Sequence, residues 1–173
     1  IIEDVKNFRS EIGVLFLNSY NRDVLTKMFD DNRLTYTSLF KARPHIFVSK
    51  SNPLAKHEAV SLEDLEDFPY LSYDQGIHNS FYYSEEILSQ IPHKKSIVVS
   101  DRATLFNLLI GLDGYTIATG ILNSNLNGDN IVSIPLDIDD EIDIVYLKHE
   151  KATLSKMGEK FLDNLVKEVT FDN

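Results

Sequence analysis

Ser96–Gly120, SIVVSDRATLFNLLIGLDGYTIATG, reads as a strand, a sharply started helix, a glycine turn and a second strand. Ile97, Val98 and Val99 are β-branched and continuous, the pattern of a strand covered on both faces. Ser100 or Asp101 can cap the helix, because each carries a side-chain oxygen able to accept from the free N–H groups of the first turn. Leu105, Leu108, Leu109 and Leu112 then recur at helical spacing. Gly114 suits the left-handed conformation that ends a helix, and Tyr115–Ala118 starts the next strand. This β-α-β unit sets the fold class as α/β. In an open parallel sheet, ligands sit where helix N-termini and strand C-termini meet, so the start of this helix is the first place to look for function.

Composition narrows the classes. The chain has 173 residues, 43% of them hydrophobic, enough for one globular unit or two small lobes. No apolar run approaches the roughly 20 residues of a membrane span. Zero cysteines exclude disulfides and thiolate catalysis and are compatible with a cytoplasmic protein. The net charge of −10 argues against a nucleic-acid footprint, which needs clustered Lys and Arg; the nearest basic cluster, His93-Lys94-Lys95, is short. The acidic run Asp137–Asp143, DIDDEID, lacks the spacing of a calcium loop and alternates with isoleucines, so it reads as a solvated loop leading into a strand. His45, His57, His78, His93 and His149 are scattered, with no pair at helical ligand spacing. No nucleophile elbow, P-loop or dinucleotide fingerprint is present. No metal, cofactor or enzymatic activity is expected.

Other segments alternate strand and helix. Residues 2–9 read as an amphipathic helix with Ile2, Val5 and Phe8 inward, feeding a buried strand at 12–17. Asn18–Asn21 is a polar turn capping a helix over 22–30. Strands follow at 34–42 and 45–50, then the turn Ser51-Asn52-Pro53. Ser61 caps a short helix stopped by Pro69, and 69–73 is a strand. After the loop 74–79, Ser80 opens a helix carrying Phe81, Tyr82, Ile87 and Leu88. An Asn/Gly-rich loop covers 123–130; strands at 131–135 and 142–148 and a helix over 154–169 complete the chain. Because a helix and a buried strand come first, without a preceding strand, the chain is expected to begin in mid-domain.

Several segments together resemble the effector-binding domain of LysR-type transcriptional regulators. Ile12-Gly13-Val14-Leu15 is similar to a strand of the family's first lobe. His45–Ala55, ending Asn52-Pro53-Leu54-Ala55, is similar to its strand followed by a His-Pro-Leu-Ala turn, with Asn52 in place of the commoner histidine. Val60–Leu65 with Phe68–Leu71, Gly111–Ile117, Ile131–Leu136 and Ser155–Leu165 match further family segments in the same order. At Ile121-Leu122 the family often has a proline. The resemblance implies two Rossmann-like lobes of the type II periplasmic-binding-protein kind, joined by two crossover strands. Lobe I would hold residues 1–68 and 136–173, and lobe II residues 69–135. It further implies a small-molecule effector, polar or anionic, held between the lobes, and a homodimer or homotetramer without membrane contact. DNA would be bound through a helix-turn-helix domain upstream of this sequence. A solute-binding protein of an uptake transporter shares the two-lobed fold and is the alternative.

Candidate effector contacts follow from the strand ends. Ser100 and Arg102 start the central helix, where free N–H groups, the helix dipole and a guanidinium fork favour an anion; Asp101 beside them opposes one. Tyr73, Gln75 and Gly76 follow the strand at 69–73, and Gly76 would let a ligand approach the backbone. Ser80, with His78 and Asn79, opens the next helix. Asn18 and Ser19, beside Tyr20, end the strand at 12–17. Thr119 and Gly120 lie near the expected hinge.

Overall fold

The apolar runs pair as two separate sheets. The computed structural model describes residues 1–76, 81–84, 86–122 and 128–171. In chain order the elements are α1 (Ile2–Lys6), β1 (Gly13–Leu17), α2 (Arg22–Asp31), β2 (Leu34–Ala42), β3 (His45–Ser49), β4 (Tyr70–Tyr73), β5 (Ser96–Val99), α3 (Arg102–Gly111), β6 (Tyr115–Ala118), β7 (Ile131–Pro135), β8 (Ile142–His149) and α4 (Lys156–Phe171). Single 3-10 turns lie at Pro53–Lys56, Glu63–Leu65 and Phe81–Tyr83. The chain divides into two compact units, Ile1–Ala42 with Glu141–Asn173, and Arg43–Asp140.

In the first unit β8 is the central strand of three, antiparallel to β1 from Gly13↔Leu147 to Leu17↔Asp143 and to β2 from Leu34↔His149 to Ala42↔Ile142. Val5, Leu17, Leu25, Phe29, Leu34, Val145 and Leu147 form its core, each large side chain contributing about 1.5–3 kcal/mol by leaving water. Phe8, expected inward, is 63% exposed. The chain reverses after α1, with Arg9 and Ser10 N–H groups donating to the Asp4 carbonyl at 2.8 and 3.1 Å. That reversal puts Phe8 at φ +56° with its ring against His149, 4.4 Å between centroids.

The second unit holds a five-stranded sheet ordered β5-β4-β6-β3-β7. β4 runs parallel to β5 and β6, while β3 runs antiparallel to β6 and β7. The β5-α3-β6 crossover is the unit read from Ser96–Gly120. Leu105 and Leu109 of α3 are fully buried against Phe47, Leu71, Val99 and Ile131. Three details depart from the sequence expectations. β5 is an edge strand, so Val98 is 62% exposed and cover on both faces fails. The left-handed residue after α3 is Asp113, φ +51°, and not Gly114; an acidic side chain tolerates that region. Gly114 is needed for close approach instead, since a Cβ there would lie 2.9 Å from Leu71 Cδ1 and 3.1 Å from the Pro69 carbonyl. The helix expected from Ser80 is, among the described residues, the one turn Phe81–Tyr83, with Ile87 and Leu88 buried beyond it; the helix expected from Ser61 is likewise one turn.

The division into units falls elsewhere than the lobe boundaries the resemblance implies. Residues 43–68 and 136–140 lie in the second unit. β3 is bonded along its length to β6 and β7, and Val60 N–H donates to the Pro135 carbonyl at 3.0 Å.

Candidate functional site

β4, β5 and β6 run in one direction, so Asp74, Ser100 and Thr119 leave the sheet at the same edge. His45, which opens β3, is registered with Ala118 and Pro135 at that edge. The chain steps outward from β4 to β5 and returns through α3 past β4 to β6. The strand order therefore reverses between β4 and β6, whose register is the single pair Tyr70↔Tyr115 at their starts. Strand C-termini at such a reversal form the crevice where α/β sheets bind ligands.

The structure brings Tyr73, Gln75, Gly76, Ser100, Arg102, Thr119 and Gly120 to this edge. Tyr73 is half-buried at the end of β4; its N–H donates to Glu86 Oε1 at 2.6 Å and its carbonyl accepts from Gln75 Nε2 at 3.3 Å. Asp74 N–H continues the ladder to the Val99 carbonyl at 2.8 Å, and Asp74 Oδ1 accepts from Gly76 N–H at 2.8 Å. That turn requires φ +61° at Gly76, which glycine adopts without strain. Gly120, at φ +83°, packs so closely on His45 that a Cβ would lie 2.5 Å from its Nδ1; the Gly120 carbonyl accepts from Ser133 Oγ at 3.2 Å.

Asp101 is the cap of α3. Its Oδ1 accepts from Thr104 N–H at 2.9 Å and its Oδ2 from Thr104 Oγ1 at 2.7 Å, bonds that hold its carboxyl below the usual range. Ser100 is exposed beside it. The Arg102 guanidinium lies 4.6 Å from the centre of the Phe106 ring. At the α3 N-terminus, expected to receive an anion, the Thr104 N–H is thus bonded to the chain's own Asp101 carboxylate. The Tyr73 phenol is pushed upward mainly by burial; Arg102 draws it down, and Glu86 and Asp101 push it further up. These four groups share one electrostatic neighbourhood.

Asn18 and Ser19 lie in the first unit, at the end of β1. Asn18 is buried, and its Oδ1 accepts from the N–H groups of Tyr20 and Asn21 at 3.1 and 3.0 Å, while Asn21 Oδ1 accepts from Asn18 N–H at 2.9 Å. The two asparagines build the turn itself, and Asn21 makes no side-chain cap to α2. Ser80, His78 and Asn79 fall outside the described residues. Glu86 was not legible as a site residue: a single acid in a stretch patterned like a helix gives no signal.

The opposite end of the same strands carries an aromatic cluster. Tyr70 and His93 stack at 3.8 Å, and His93 Nδ1 and the Tyr115 hydroxyl share a hydrogen bond of 2.8 Å. Burial raises the Tyr115 phenol to about 12 and lowers His93. A cavity of about 130 Å³ opens beside them, floored by Leu62, Leu65, Phe68 and Ile91. Among the described residues no group of three or more His, Asp or Glu is placed to hold a metal ion, and no helix is long and apolar enough to cross a membrane.

The family model described as LysR substrate binding domain matches residues 1–170. Comparison with curated proteins gives no match. Among solved structures, the chain is similar to HinK, a LysR family transcriptional regulator from Pseudomonas aeruginosa, at a TM-score of 0.65 and 14% identity over 97% of this chain and 56% of that one. It is similar to the effector binding domain of QuiR in complex with shikimate, at 0.63 and 18% over 98% and 77%. A third likeness is to the BenM effector binding domain with its effector benzoate, at 0.62 and 19% over 98% and 73%. At these identities the likeness is one of fold, the type II periplasmic-binding-protein-like architecture. The chain spans little more than half the length of the HinK chain.

Proposed function

We propose that this chain, which belongs to the LysR substrate-binding domain family, is the effector-sensing part of a transcriptional regulator that reads a small metabolite. The observation that carries the reading is the convergence of Tyr73, Asp74, Ser100, Asp101 and Thr119 at one sheet edge, where the strand order reverses between β4 and β6. A metabolite held there would contact backbone and short polar side chains on a rigid sheet, with Tyr73 as an apolar wall. The effector changes the regulator by binding one arrangement of its subunits better than another. DNA contact belongs to a helix-turn-helix segment outside this sequence, consistent with the net charge of −10 here. The chain acts in the cytoplasm as part of a homodimer or homotetramer and catalyses nothing.

The test is a metabolite panel read by thermal shift on the full-length protein. A true effector at 100 times its Kd adds about 2.7 kcal/mol, or roughly 5–10 °C for a protein of this size. Ser100→Trp, which puts bulk at the exposed strand end, should remove the shift while leaving the unliganded melting temperature in place. A shift that survives Ser100→Trp places the effector elsewhere, and no shift with any metabolite counts against the sensing role.

A further inference from the structure

His93 stands between the first residues of the two strands whose reversal builds the crevice. Its ring stacks on Tyr70, which opens β4, with 3.8 Å between centroids and 18° between planes. Its Nδ1 shares a 2.8 Å hydrogen bond with the hydroxyl of Tyr115, which opens β6. Those strands are registered only by the pair Tyr70↔Tyr115. The ring's second nitrogen has a different environment. Nε2 is buried and has no hydrogen-bond partner among the described residues. A neutral ring with its proton on Nδ1 donates to the Tyr115 oxygen and leaves only a lone pair at Nε2. A protonated ring places a charged N–H there, and an orphaned charged donor costs more than an aromatic face returns to a cation. The charged groups nearby do not reverse this. Glu63 and Glu66 line the adjoining cavity, Glu66 is paired to Lys94, Lys95 reaches the Asp67 carbonyl, and Glu86 acts on the Tyr70 hydroxyl. Burial accordingly lowers the His93 pKa.

We propose that His93 is a proton-released latch: the neutral ring holds the starts of β4 and β6 together, and the protonated ring swings out to water and lets them part. The residue is only partly covered, and Pro92, Lys94 and Lys95 around it are exposed, so the swing moves one side chain and no core residue. It widens the neighbouring cavity floored by Leu62, Leu65, Phe68 and Ile91 and leaves the Tyr115 hydroxyl without its imidazole partner. The open form binds a proton that the closed form resists. Opening is therefore rare above about pH 6.5 and grows as the pH falls below it. It is a local event, distinct from unfolding of the whole chain, and does not depend on which effector the crevice receives.

Hydrogen exchange on the full-length protein reads the latch at two amides. Tyr70 N–H donates to the Lys95 carbonyl at 2.9 Å, and Tyr115 N–H to the Pro69 carbonyl at 3.0 Å. Amides of β8, in the other sheet, are the control, with rates corrected for the intrinsic effect of pH. Between about pH 7.5 and about 5.5, protection at Tyr70 and Tyr115 should fall at least about threefold relative to β8. It should stay level in His93→Gln, which offers Tyr115 a hydrogen bond without titrating. The midpoint of the fall should coincide with the titration of the His93 ring followed by NMR in the wild type, a measurement that stands even if the variant does not fold. No fall, a fall shared equally by β8, a fall that persists in His93→Gln, or a midpoint away from the His93 titration each overturns the latch.

Discussion

Asn52 ties the turn after β3 to the turn after α3: its Nδ2 donates to the Asp113 carbonyl at 2.7 Å, while its Oδ1 accepts from Leu54 N–H at 2.9 Å. At 1% exposure neither bond has water as a substitute. The histidine more usual here in the resembling family is therefore replaced by a residue with its own two-sided structural role. Removing the side chain in Asn52→Ala strands the Asp113 carbonyl and the Leu54 N–H, at about 1–3 kcal/mol for each buried group left unpaired. The melting temperature should fall by at least about 2–4 °C. Asn52→Ser, which can still cap Leu54, should recover part of the loss; equal melting of Ala, Ser and wild type would show that the bridge carries no weight.

Two glycines flank the same turn and should respond oppositely to alanine. Gly114→Ala places a Cβ against Leu71 Cδ1 and the Pro69 carbonyl. The carbonyl cannot move without β4, so the cost is about 1–3 kcal/mol. Gly111 ends α3, and nothing lies within 4 Å of the place an alanine Cβ would take there. Gly111→Ala should therefore gain up to about 1 kcal/mol of helix propensity. Denaturant titration of the two variants checks the pair of signs.

Local signals in the sequence served for α3 and failed for Phe8, for Gly114 and for the helices expected from Ser61 and Ser80. The α3 leucines, the Asp101 cap and the strand after Gly114 all follow from contacts within four residues along the chain. Long-range order was not available from the same pattern. Ile97-Val98-Val99 has the composition of a covered strand, yet whether it is covered depends on β5 lying outermost, which its own residues do not encode. The same holds for residues 43–68, assigned to a unit by β3 pairing with strands far later in the chain. The edge at Tyr73, Ser100 and Thr119 was legible because strand ends follow from strands. Its charge was not, since Glu86 reaches Tyr73 from a segment whose spacing reads as a helix and marks no acid for the sheet edge.

Among the described residues of the first unit, Asp143 is a buried carboxylate that takes a hydroxyl on one oxygen and a guanidinium on the other. Asp143 is 6% exposed, with Ser38 Oγ donating to Oδ1 at 2.5 Å and Arg22 Nη2 to Oδ2 at 3.3 Å. Ser38 sits where the β2–β8 register shifts, which turns its hydroxyl toward the strand start. Ser38→Ala leaves one oxygen of a buried carboxylate without a donor and should cost about 1–3 kcal/mol. Arg22→Gln should cost less, because the guanidinium is 39% exposed and partly screened. Chemical denaturation ranks the two; a larger loss for Arg22→Gln would mean that charge pairing outweighs the hydroxyl bond.

His93 should give the fold a stability step in mild acid. Burial against Tyr70 and Tyr115 lowers its pKa in the folded state below the unfolded value near 6.5. The unfolded chain therefore binds the proton more readily, so stability is complete above about pH 6.5 and declines as the pH falls below it. Lys94, Glu63 and Glu66 border the neighbouring cavity. Asp64 and Asp101, whose carboxyls are held below the usual range by Ser61 and Thr104, lose their contribution only at lower pH, beneath 3.8. The two windows are separate. Between about pH 7.5 and about 5.5 the melting temperature should drop in the wild type and drop less in His93→Gln, compared at equal ionic strength. Parallel pH profiles for the two proteins would assign the mild-acid step to another group.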